Sequence, residues 1–282
     1  MSFRLTRHTY RGVFLAPVVA VAGLAFACTA QASTLPTVSI AISPTSATVS
    51  GPLESGAANV VTTDTGVKEA TEILFFLKPG VTVAEAEKFI AEKQAHKDIN
   101  STSKLGSLAF DTEANPGEKS EVQTELHAGQ YLVLVGQGEG EVKLRSTFVV
   151  SAAKAPVALP APEATIRSIE FGFRGPSTLH DGELVRFENE GYLVHMDIAA
   201  PVKNMKAAKQ AIKDLLSGKE KALGKLIAGP PAPFAGPLSH EAFQQETITA
   251  KPGIYVEVCF METQDGRSHT RLGMERIIKI TK

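Results

Sequence analysis

The chain has 282 residues, with 29 Lys or Arg against 30 Asp or Glu, for a formal charge of −1. That balance excludes the strongly basic footprint of a nucleic-acid or anionic-lipid binder. A hydrophobic content of 43% places the chain among folding globular proteins rather than disordered ones.

Arg4, Arg7 and Arg11 precede an apolar run from Gly12 to Ala27, and Ala30-Gln31-Ala32 follows. The pattern reads as a secretory signal peptide cut after Ala32, and hence as a periplasmic or secreted protein. Cys28 follows Ala25-Phe26-Ala27, which lacks the aliphatic residue of a lipobox, so it leaves with the leader. Cleavage removes three arginines and no acid, leaving 26 basic and 30 acidic residues and a formal charge of −4. No later run approaches the roughly 20 apolar residues of a membrane span.

The order of predicted elements then occurs twice. In the first half, strands are expected at Thr37 to Ile42, Asn59 to Thr62 and Glu72 to Leu77. A helix begins near Thr82, where Thr82-Val83-Ala84-Glu85 has capping-box form, with Ala86, Phe89 and Ile90 on one face. Ala128 to Val135 and Arg145 to Val150 read as further strands. Ser151 to Pro162 is rich in Ala and Pro and reads as a semi-extended linker.

The second half repeats the series. Ile166 to Phe173, Leu184 to Phe187 and Leu193 to Ala199 read as strands. Met205, Ala208, Ile212, Leu215 and Leu216 lie at helical spacing, and a Gly/Pro-rich stretch runs from Gly229 to Pro237. Glu246 to Thr249 alternates, Pro252 to Cys259 forms a strand, and Arg276 to Ile280 closes the chain. The expected organisation is a leader at 1–32, one β-domain at 33–150, the linker at 151–162 and a second copy of the β-domain at 163–282. Each copy carries a helical insertion.

Cys259 is the one cysteine left in the mature chain, so no intrachain disulfide can form and an exported thiol has to be accounted for. Three segments around it carry a resemblance. They are Gly182 to His195, with Asn189 in a turn ahead of His195; Lys251 to Cys259, containing Pro252-Gly253-Ile254-Tyr255; and His269-Thr270-Arg271-Leu272-Gly273-Met274. Together they resemble the cupredoxin (plastocyanin-like) family over about 120 residues from Glu163 to the end.

The resemblance implies a mainly β fold of two cupredoxin-like Greek-key β-sandwich domains. It makes His195, Cys259 and His269 trigonal ligands and Met274 the weak axial ligand of one type 1-like copper. A His2Cys set with a distant thioether suits that metal in both oxidation states. Nine residues separate Cys259 from His269, as in the longer loops of two-domain copper nitrite reductases, and Asp265-Gly266 supplies a turn to take up the excess. Val135 matches Cys259 in the first half, and the position of His195 falls among Ala70 to Ile73, so no copper is expected there.

Plainer readings stand beside this one. A buried Cys packs as a small hydrophobe, a Met fills core, and a lone His is commonly a satisfied core or turn residue. The implied function is one-copper electron transfer or copper handling, with a redox partner protein. The alternative is a copper-free scaffold that binds an envelope partner. Six histidines in the mature chain, with no His-x-His, argue against further copper centres, and no nucleophile motif is apparent. The expectation is a protein that is not an enzyme.

Overall fold

The computed structural model describes residues 34–68, 70–92, 98–114, 116–137 and 142–282. The leader and its cleavage site lie outside the described residues. Among the described residues no helix is long and apolar enough to cross a membrane. Leu35–Lys282 form one compact unit.

The architecture is mainly β, as expected. The first half contributes β1 (Thr37–Ile42), β2 (Ala47–Ser50), β3 (Gly56–Asp64), β4 (Ala70–Leu77), β5 (Gly106–Ala114), β6 (Lys119–Leu126), β7 (Gly129–Gln137) and β8 (Lys143–Val150). The second contributes β9 (Ala164–Ile169), β10 (Gly172–Arg174), β11 (Thr178–His180), β12 (Leu184–Asn189), β13 (His195–Val202), β14 (Ala232–Leu238), β15 (Phe243–Thr247), β16 (Gly253–Val258) and β17 (Glu275–Thr281). Among the described residues two α-helices interrupt them: α1 (Val83–Ala91) and α2 (Met205–Leu216).

Strands from both halves share one eight-stranded sheet, in the order β10-β9-β12-β15-β6-β3-β1-β2. The junction is narrow. Gln245 faces Gln123 as the single paired position between β15 and β6, and its side-chain amide donates to Gln123 Oε1 at 2.9 Å. A four-stranded sheet, β5-β4-β7-β8, belongs to the first half, and a five-stranded sheet, β11-β17-β16-β13-β14, to the second. Alternation along β1, with Val38, Ile40 and Ile42 fully buried between exposed neighbours, is the period-2 pattern of a sheet with one face in the core. Those side chains join Val60, Tyr131, Val133, Phe187 and Ile278 in one apolar cluster that runs through both halves.

The outer faces of the smaller sheets are covered by the insertions. On α1 the capping box forms as expected: Glu85 N–H donates to Thr82 Oγ1 at 3.2 Å and Thr82 N–H to Glu85 Oε2 at 2.7 Å. Ala86 is buried and Ile90 packs with it against β4 and β7 residues. Asn204 caps α2, whose Ala208, Ala211 and Leu215 pack on Val256 and Val258 of β16. Met205 and Leu216, expected on that face, are instead 44% and 48% exposed, because the apolar stripe is centred one position away, on Ala211.

Ser151 to Pro162 contains no named strand or helix, and it is bonded to its surroundings. Ser151 N–H donates to Leu53 O, Ala57 N–H to Val157 O, and Gln245 Nε2 to Pro160 O. The stretch from Ile166 to Phe173 is broken at Glu170–Phe171, where Phe171 takes φ 57° and the chain reverses into β10. The Gly/Pro-rich stretch contains β14, an edge strand of its sheet, where prolines are tolerated because one side needs no ladder donor.

Candidate metal centre

Strand direction brings the proposed residues to one end of the five-stranded sheet. β13 starts at His195, β16 ends one residue before Cys259, and β17 starts one residue after Met274. β13 and β16 are antiparallel, as are β16 and β17, so the start of β13, the end of β16 and the start of β17 coincide.

Each approach is locally braced. Asn189 is fully buried, and its Nδ2 donates to Leu193 O at 2.7 Å and Leu238 O at 2.8 Å, while its Oδ1 accepts from Gly191 N–H at 2.8 Å. These three bonds shape the turn that leads into His195. The nine-residue loop folds back on itself, as the Asp265-Gly266 turn implied. Glu262 bridges Ser268, Thr263 N–H donates to Arg267 O at 2.9 Å, and His269 N–H returns to Met261 O at 2.8 Å. A short 3-10 helix, His269–Leu272, ends at Gly273 with φ 100°. That left-handed position favours Gly and reverses the chain so that Met274 N–H donates to His269 O at 3.0 Å.

His195, Cys259 and His269 converge with 1%, 0% and 0% of their surface exposed. The two Nδ1 atoms are 3.1 Å apart, and Cys259 Sγ lies 3.8 Å from His195 Nδ1 and 3.4 Å from His269 Nδ1. The point equidistant from the corners of that triangle lies about 2.0 Å from each, close to the roughly 2.0–2.1 Å of a metal–imidazole bond and the 2.3 Å of a metal–thiolate bond. Met196 N–H donates to Cys259 Sγ at 3.4 Å. Met274 is fully buried beside them and its carbonyl accepts from Cys259 N–H at 3.3 Å.

The electrostatics suit a cation that takes the place of a proton. Burial, then the neighbouring His269, lowers the His195 pKa to about 3; burial lowers that of His269 to about 4, with Glu170 opposing. Both rings are therefore neutral at pH 7, with lone pairs to offer. Burial pushes the Cys259 thiol up to about 12, against the Met196 and Met261 backbone donors and assisted by the charge of Asp197. A bound cation would reverse that last shift, because a coordinating thiol is deprotonated outright. One soft and two borderline donors with no carboxylate among them match copper or zinc chemistry and disfavour hard cations. The residues fit the implied metal.

Three residues that hold this arrangement were not found from sequence. Asn100, in the first half, accepts Val194 N–H on Oδ1 at 2.7 Å and donates from Nδ2 to Glu262 O at 3.1 Å, tying together the turns beside His195 and Cys259. Glu220, in the short 3-10 helix after α2, accepts the hydroxyls of Ser268 at 2.5 Å and Thr270 at 3.0 Å through one oxygen, on either side of His269. Glu170 Oε1 accepts backbone N–H from Tyr192 and Leu193 and stands 4.0 Å from His195 Nε2. These contacts join positions 22 to 162 residues apart, and no local pattern announces them.

No family model matches the chain, and no curated protein does. Solved structures do match. Reduced auracyanin from Roseiflexus castenholzii is 18% identical, covering 42% of this chain and 95% of its own, with a TM-score of 0.26. A copper-containing nitrite reductase from Thermus scotoductus SA-01 is 14% identical over 87% of this chain and 68% of its own, TM-score 0.25. The copper nitrite reductase of Nitrosomonas europaea is 13% identical over 87% and 93%, TM-score 0.22. At these scores none assigns an activity or a ligand to this chain. One expectation is nevertheless corrected: two of these structures, each matching 87% of the chain, are enzymes by name. The expectation of a protein that is not an enzyme does not stand against them.

Proposed function

We propose that this is an exported cupredoxin-like protein in which His195, Cys259 and His269, with Met274 as a weak fourth donor, hold one mononuclear, type 1-like copper for electron transfer. The observation that carries the reading is the convergence of two Nδ1 atoms and one Sγ on a point about 2.0 Å from each, a metal-bonding distance. The division into a copper half at 163–282 and a copper-free half at 33–150 belongs to the same proposal. So does a redox partner protein with which electrons are exchanged.

Copper, when bound, supplies a one-electron couple between Cu(I) and Cu(II). Everything else is done by the chain. His195 and His269 present neutral Nδ1 atoms, Cys259 presents sulfur, and the Met196 N–H bonded to that sulfur at 3.4 Å stabilises negative charge on it, a lever on reduction potential. The burial of all three donors favours electron transfer over delivery, since ligand exchange with an acceptor requires an approach that the packed site denies. Bracing of each donor by backbone and side-chain bonds keeps the geometry the same in both oxidation states, which keeps reorganisation small.

The test is to load the purified mature protein with Cu(II). The wild type should develop the strong visible thiolate-to-copper absorption, Cys259→Ser should abolish it, and voltammetry should give a reversible one-electron wave. A wild type that stays colourless and binds copper no better than Cys259→Ser refutes the proposal and leaves the copper-free scaffold.

A further inference from the structure

The outer edges of the two histidines are buried, and Glu170 comes within 4.0 Å of one of them, His195, while its charge also acts on His269. His195 Nε2 and His269 Nε2 both lie away from solvent without a hydrogen-bond partner. A buried N–H left this way costs about 1–3 kcal/mol. The β9–β10 turn covers both rings: Phe171 packs edge-on against His269 at 5.3 Å between centroids, and Glu170 places Oε1 4.0 Å from His195 Nε2. Phe171 holds φ 57° to do so, a conformation that a bulky residue rarely adopts and one that tends to be kept where function requires it.

The gap between carboxylate and ring is kept open by a missing side chain. A Cβ at Gly191 would stand 2.7 Å from His195 Nε2 and 2.8 Å from Glu170 Oε1, so any other residue there would force the two apart. Oε1 is also aimed, since the N–H groups of Tyr192 and Leu193 both donate to it. These residues lead directly into His195. A closure of about 1 Å brings the pair to hydrogen-bond length.

We infer that Glu170 is a positioning residue of the centre, taking the outer N–H of His195 so that its Nδ1 lone pair is turned to Cys259 and His269, and favouring the oxidised state of a bound copper by its charge. Outer-shell carboxylates on ligating histidines act in this way, and losing one typically lowers metal affinity 10- to 100-fold. In the metal-free protein, closing that gap would make His195 the acceptor and His269 the donor in the 3.1 Å Nδ1···Nδ1 contact. This inference rests on the copper reading for its redox arm only.

Two measurements test it. In the metal-free wild type, imidazole 15N shifts should show His195 protonated at Nε2 and bare at Nδ1. Glu170→Ala should give a mixture of tautomers, whereas Glu170→Gln, which keeps an acceptor oxygen, should not. After loading with Cu(II), both variants should show a higher reduction potential than wild type, by about a tenfold loss of preference for Cu(II), equivalent to 59 mV for one electron. A wild-type His195 protonated at Nδ1 overturns the inference by itself, as does an unchanged potential in both variants. Failure of the wild type to take up Cu(II) would sink the copper reading, and the tautomer arm would still decide the role of Glu170.

Discussion

Replacing Glu220 with alanine tests whether the helical insertion of the second half organises the centre or merely covers the sheet. One carboxylate oxygen of Glu220 takes the hydroxyls of Ser268 and Thr270, whose own oxygens lie 2.5 Å apart. Both hydroxyls are buried, so their loss of a partner is not repaired by water. A hydrogen bond to a charged group is worth about 1.5–3 kcal/mol net, and the half-buried carboxylate argues for the lower end. Two such bonds give a cost of about 2–3 kcal/mol for Glu220→Ala. If they hold His269 in place, the loop is loose in the variant and must be ordered when metal binds. The cost then falls on copper affinity, up to about 100-fold. Glu220→Gln keeps the acceptor oxygen and should recover most of it. Competitive Cu(II) titration gives the affinity, and denaturant unfolding of the metal-free protein gives the global stability. A Glu220→Ala protein that unfolds more easily yet binds copper with wild-type affinity and spectrum would refute the reasoning and reduce Glu220 to a structural contact.

Two further substitutions probe the fold that carries the site. Glu72 is fully buried on β4, with Oε2 taking the Thr62 hydroxyl at 2.5 Å and Oε1 unpartnered, and burial raises its pKa from 4.5 to about 8. The native state keeps this proton up to about pH 8 while the unfolded chain releases it near 4.5, so the contribution is complete below pH 4.5 and declines by about 1.4 kcal/mol per pH unit as pH rises toward 8. Glu72→Gln should remove that part of the decline, so unfolding curves of variant and wild type should diverge from pH 5 to pH 8; parallel curves would show that Glu72 is ionised in the native state. Asn204 Oδ1 accepts Ala207 N–H at 3.0 Å to cap α2, so Asn204→Ala should cost about 1 kcal/mol, read as a lower denaturant midpoint at constant slope. No loss of stability would mean that α2 starts elsewhere.

What was legible in the sequence followed from chemistry that is local in the chain. The strand through Tyr255 and the turn at Asp265-Gly266 carry their own signals, and so does the left-handed Gly273 ahead of Met274. The Thr82 capping box is complete within four residues. β6 carries a readable alternation through Val122, Thr124 and Leu126, all buried. β14 was hidden because its prolines argue against a strand unless the edge position is known. The turn at Glu170–Phe171 carries neither Gly nor Asn, so the sequence shows no break in the strand there. Asn100, Glu220 and Glu170 are ordinary polar residues in polar surroundings. What they do is decided by which loops the fold brings to them, and that is tertiary information.

Asn100 lies in the half without proposed ligands, yet its one amide holds the segments on both sides of the centre, through Val194 and Glu262. Losing that amide would unfasten the turn before His195 and the loop after Cys259 together, so Asn100→Ala is expected to weaken metal binding at ligands that all lie in the other half. The proposed ligands therefore depend on an amide that lies outside the segment carrying them.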